Sequence, residues 1–131
     1  MAGTLTISTL SDGTNSTSST NCIKGSAKAW VVWYNASGTT VVINGSYNVS
    51  SVTANSAGDF TVNMTNAMPN TNYVVCGAGG TSTTGQAAFT TPAVASGGYP
   101  NTTTAFRAQL LAANGVLVTT LGYAQCAVFS S

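Results

Sequence analysis

The chain has no histidine and no glutamate, and charged side chains make up only 4% of its 131 residues. The whole charge inventory is Lys24, Lys28, Arg107, Asp12 and Asp59. Each absence excludes a chemistry. Without histidine there is no Ser-His-Asp triad and no Cys-His pair. Without glutamate, a two-carboxylate glycosidase would need Asp12 with Asp59. One lies in a polar N-terminal tract and the other beside a tight turn. A Ser26–Lys28 dyad exists on paper, but Lys28 reads as solvated. The expectation is a protein without catalytic residues. Three scattered cations make no phosphate-binding stripe, so nucleic acid is not an expected partner.

Cysteine is scarce too. Cys22, Cys76 and Cys126 lie far apart with no CxxC, which argues against a zinc site. Three is an odd number, so at most one internal bridge can form. The residues favour three reduced thiols and leave a Cys76–Cys126 bridge open. Asp12-Gly13-Thr14-Asn15 resembles the start of a calcium loop, but the closing bidentate Glu is missing and an Asx-type turn explains it better. No cofactor and no metal are expected. No apolar run approaches the roughly 20 residues of a membrane helix. The N-terminus has neither a basic stretch nor an apolar core of a secretory signal.

What is present is β-forming. Thr, Val and Tyr abound, and Ser, Thr, Asn and Gly supply the polar surface. Residues 4–10 read as a strand with Leu5 and Ile7 on one face. Residues 11–21 form a Ser/Thr/Asn tract that stays ordered only if something holds it. Residues 1–24 therefore read as an extended arm that packs on another chain, and residues 25–131 as one domain. Residues 28–34 are a strong strand, with Trp30, Val32 and Tyr34 on one face and Val31 and Trp33 on the other. Strands are also expected over 40–43, 46–53, 59–64, 72–75, 86–91, 105–112, 116–120 and 121–129. The runs 46–53, 59–64 and 72–75 read as a three-stranded meander, with Asp59 capping its first turn. Residues 77–85 read as a plain glycine-rich loop, and Tyr99 as a loop-tip residue. No helix is signalled. The fold expected is a single antiparallel β-sandwich, jelly-roll or Ig-like, of about eight to ten short strands.

Several short motifs also carry a resemblance. Ser46-Tyr47-Asn48-Val49-Ser50-Ser51-Val52-Thr53, Gly58-Asp59-Phe60-Thr61-Val62-Asn63 and Ala67-Met68-Pro69-Asn70-Thr71-Asn72-Tyr73-Val74-Val75 agree in order and spacing with a known domain. Ser26-Ala27-Lys28-Ala29-Trp30-Val31, Ala105-Phe106-Arg107 and Ala127-Val128-Phe129 extend the match. Together they resemble the small β-domain of tailed-bacteriophage virion structural proteins, seen at tail-fibre ends and as short separate proteins. The resemblance implies a virion part, either a capsid decoration or a tail-fibre component, made in the host cytoplasm. Implied partners are copies of the chain itself, as a homo-trimer, and other virion proteins. The chain starts at a Met and is short, which favours a separate decoration, fibre-knob or tail-accessory protein.

In that family the position of Trp33 carries an aromatic and those of Val32 and Tyr34 carry polar residues. The resemblance thus points Val31 and Trp33 to the core. Val32 and Tyr34 depart from it, and with Trp30 they are expected to meet another subunit. A second core layer inside the monomer remains the alternative. Leu5 and Ile7 join the expected interface through the arm. The alternative function is a receptor- or glycan-binding tail-fibre tip, with Tyr99 as the contact and a host surface glycan as partner.

Overall fold

A computed structural model describes residues 3–37, 40–81, 85–90, 100–112, 115, 117 and 121–130. The body is an antiparallel β-sandwich. It begins with β3 (Ala29–Ser37), after two short strands and a helix described below. Aromatic and β-branched residues at 30–34 favour extended backbone, because their crowded Cβ atoms lose less freedom on a pleated surface than in a helix. Strand β3 pairs with β4 (Thr40–Tyr47) on one side and β10 (Leu121–Phe129) on the other. The remaining strands are β5 (Val49–Ser56), β6 (Asp59–Met64), β7 (Val74–Thr81), β8 (Gly85–Thr90) and β9 (Ala105–Leu111). Their order is β4-β3-β10-β7-β8-β9-β6-β5.

Strand β8 turns this order into two layers. Its first half pairs with β7, at Gly85↔Thr81 through Ala87↔Gly79. Its second half pairs with β9, at Ala88↔Leu111 through Thr90↔Gln109. One layer is β4-β3-β10-β7 and the other is β9-β6-β5, with β8 as the hinge between them. Trp33 from the first layer meets Phe60 from the second edge to face, ring centres 5.8 Å apart. Around them pack Val31, Cys126 and Val128 on one side and Val62, Phe106 and Leu110 on the other, all buried. Full burial of one such aliphatic or phenyl side chain contributes about 1.5–3 kcal/mol, so this seam holds the layers together.

The three runs around Gly45–Gly77 behave differently from a meander. The expected strand 46–53 breaks at Asn48, which has φ 54. Its side chain secures the break. Asn48 Oδ1 accepts from the Asn66 N–H at 2.8 Å. Asn48 Nδ2 donates to the Lys28 carbonyl at 3.1 Å. Asparagine tolerates the left-handed region better than other side chains do, so the chain leaves β4 and enters β5 in the other layer here. The runs over β5 and β6 do form a hairpin, with Gly58 at φ 72 in its turn. The third run then crosses to pair with β10 instead of extending that hairpin.

Residues 77–81 are strand, not loop, and pair with β10, with an irregularity at Gly122 between the Gly80 and Thr81 partners. Glycine propensity argues against this, but packing overrides it. A Cβ on Gly79 would lie 1.9 Å from Leu110 Cδ2, and one on Gly77 would lie 2.7 Å from the Phe89 ring. The bare backbone of β7 is what lets Leu110 from the opposite layer and Phe89 from the hinge strand approach.

The segment before the sandwich was expected to be an extended arm with a strand over 4–10. It carries instead a small hairpin, β1 (Thr9–Ser11) with β2 (Ser16–Ser18), and one helix, α1 (Ser19–Gly25). Asp12 shapes the hairpin turn by accepting from the Thr14 and Asn15 N–H groups at 2.9 and 2.7 Å, an Asx arrangement. Those bonds, from Asn15 first, hold its carboxyl below the usual range. The helix was unexpected because it has no apolar stripe and buries no residue. Its start is set by Ser18, whose hydroxyl accepts from the Asn21 N–H. Tyr99 and most of its loop, and the strand expected over 116–120 except Leu117, lie outside the described residues.

Candidate docking face

The outward side of the β4-β3-β10-β7 layer is built from rows of cross-strand neighbours. Tyr47, Trp30, Ala127 and Cys76 form one row, paired strand by strand. Gly45, Val32, Gln125 and Ala78 form the next. Tyr34 and Tyr123 follow, rings 5.5 Å apart, with Val42 beside Tyr34 and Gly80 beside Tyr123. Phe129 and Val74 pair at the other end. No charged side chain occurs in these rows. Trp30 is 41% exposed, Tyr47 59% and Tyr123 61%, while Val32 and Tyr34 are half-buried. The Trp30 ring leans over Gly45, where a Cβ would come within 3.3 Å of it. Between Trp30 and Val32 on one side and Cys76 and Ala78 on the other runs an open groove of about 430 Å³, floored by Gln125 and Ala127.

The three residues expected on one face of β3 do share this face, and Val31 and Trp33 are fully buried on the other. Among the described residues, no second core layer covers Trp30, which is exposed. Leu5 and Ile7 are placed elsewhere, in irregular backbone before β1, at 82% and 39% exposed. Tyr47, Val74, Cys76 and Ala127 extend the face beyond the residues expected there. The alternation of small and aromatic residues along β10 was the available signal for Ala127. The β4–β3 pairing that sets Tyr47 beside Trp30 is a tertiary fact.

The outer side of the other layer differs in kind. Asp59 is 3% exposed, and it accepts two bonds from Arg107, one from Nε at 2.5 Å and one from Nη2. Gln109 Nε2 donates to the same carboxylate at 3.2 Å and Asn55 Nδ2 at 3.3 Å. Burial opposes ionisation of Asp59, but the bonds from Arg107, Gln109 and Asn55 outweigh it and hold the carboxyl below the usual range. Asn55 also bonds Thr61, and Asn63 bonds Ser51, so polar groups on this face are tied to one another. Asp59 therefore anchors a cross-strand network, and its bond from Asn55 also spans the turn before it.

The paper dyad is also resolved. Lys28 Nζ donates to Ser26 Oγ at 3.0 Å and to the Ile23 carbonyl, so the ammonium closes the last turn of α1. Asp12 and Asp59 sit in separate elements, each engaged as described. Cys76 points outward and Cys126 inward on adjacent strands, and all three cysteines are free. Burial pushes the Cys126 thiol up to about 12. Among the described residues, no group of three His, Cys, Asp or Glu is placed to hold a metal ion, and no helix is long and apolar enough to cross a membrane. Comparison with protein-family models, curated proteins and solved structures found no match.

Proposed function

We propose that this chain is a non-enzymatic structural protein of a tailed-phage virion. It docks on the capsid or tail as a decoration or fibre component, and it associates with copies of itself. The contrast between the two outer faces carries the reading. One carries a closed polar network around Asp59 and Arg107, whose polar groups bond one another. The other presents exposed Trp30, Tyr47 and Tyr123 with no charge among them. Aromatic side chains of this kind are the anchors that dominate protein interfaces, and monomers rarely leave several of them together. The resemblance of the motifs at 26–31, 46–53, 58–63, 67–75, 105–107 and 127–129 supplies the phage setting. Antibody labelling of purified particles tests it: density on the capsid or tail is expected, and particles that carry no copy of the chain reject it.

A receptor- or glycan-binding tip is the second reading. Exposed Tyr123 beside exposed Gln125 on β10 favours it, since a flat ring next to an amide suits a sugar. Tyr123→Ala should then reduce adsorption to host cells while leaving particle assembly intact.

A further inference from the structure

We propose that the outer face of β4-β3-β10-β7 is covered by the same face of a second copy, related by a two-fold axis that runs along the strands between β3 and β10. This rests on the self-association part of the reading above and names its geometry.

The argument begins with the layout of one row. Tyr47 and Trp30 stand on β4 and β3, and Ala127 and Cys76 lie low on β10 and β7. In this row the ridge and the hollow thus occupy opposite halves. A two-fold axis in the plane of the face, midway between β3 and β10, maps β3 onto the partner's β10 and β4 onto the partner's β7. Trp30 then stands over the partner's Ala127, and Tyr47 over the partner's Cys76. Two rows along, Tyr34 meets the partner's Tyr123, and the reverse contact follows by symmetry. Each large residue of the row falls on a small one without any change of register.

Charge and area agree with a second copy as occupant. The face carries no charged side chain, so its copy leaves no ion unpaired on burial. The nearest cation, Lys28, is turned back onto α1. The three exposed rings alone present roughly 300 Å². Four strands about 4.8 Å apart and about seven residues long make a footprint of roughly 19 by 23 Å. Side-chain relief adds to that projected area of roughly 440 Å², which puts the buried surface between it and the roughly 800 Å² per partner of a standard stable interface. A closed three-membered ring needs two different surfaces on each subunit, whereas a single flat face closes with two copies. For this face the expected homo-trimer gives way to a pair.

Size exchange tests the pairing. Light scattering and sedimentation should find the purified chain as a dimer. Trp30→Ala removes the ridge, and Ala127→Trp fills the hollow while making the face more apolar. Each should weaken association by at least about tenfold, the loss of one interface anchor. The double variant sets a tryptophan over the partner's alanine again and should recover the dimer. Both positions face outward, and circular dichroism checks that the fold is kept. A monomer at all concentrations, a trimer, a dimer untouched by Ala127→Trp, or single-variant losses that the double variant fails to restore would each overturn the proposal. Particle labelling is independent of these outcomes, so the phage setting can fail while the pairing stands, and the reverse.

Discussion

Asp59 on β6 and Arg107 on β9, diagonal neighbours across the strand pair, form a two-point ion pair, and both are largely withdrawn from water. Because the Asp59 carboxyl is held below its usual range, its ionised form contributes stability above the unfolded pKa near 4. That contribution is lost as pH falls through the lower folded value. Urea unfolding should therefore show stability declining with acidity below about pH 4. Asp59→Asn should cost about 3 kcal/mol at pH 7, since it leaves Arg107 without its counter-charge, and should flatten the acid decline. An unchanged acid limb in that variant would remove the pair from the account.

Gly79 lies under Leu110, which is fully buried. Gly79→Ala should cost about 1–3 kcal/mol by overpacking, read as a lower urea midpoint at constant slope. Leu110→Val in the same chain should recover part of that cost, because it withdraws the atom that clashes. If the two substitutions simply add, the close approach does not limit stability.

Asn48 combines a left-handed backbone with side-chain bonds to Lys28 and Asn66. Asn48→Gly keeps the backbone free to turn and loses the bonds. Asn48→Ala loses the bonds and strains the turn as well. The alanine variant should be less stable than the glycine variant by about 1 kcal/mol. Equal midpoints in thermal or urea unfolding would mean that the corner relaxes without strain.

Cys126 is buried and Cys76 exposed on opposite sides of one sheet, so no bridge joins them. A thiol reagent should modify Cys76 in the folded protein and Cys126 only on unfolding. The raised Cys126 value stabilises the fold below the unfolded thiol pKa near 9 and is lost as pH rises toward about 12. Tyr73, also pushed up to about 12 by burial, adds to the same alkaline decline. Cys126→Ala should lessen the slope of stability above pH 9. A slope identical to that of the parent chain would assign the decline to other groups.

The sequence by itself determined the β class, the facing of the strand at Trp30–Tyr34 and the hairpin of β5 and β6. These follow from alternation and turn chemistry, which act over a few residues. Its lack of histidine and glutamate also decided which catalytic pairs could exist at all. Only the tertiary structure decided that Gly77 to Thr81 is strand, because that depends on Leu110 arriving from the other layer and Phe89 from β8. The same holds for the α1 helix, which starts from a single serine cap and no apolar stripe. Asp59 found Arg107 forty-eight residues away, a pairing that no local pattern encodes. The docking face is divided in the same way. Trp30, Val32 and Tyr34 were legible on one strand, but the ridge beside a hollow exists only where β4, β3, β10 and β7 lie side by side, and that order is a property of the packed chain.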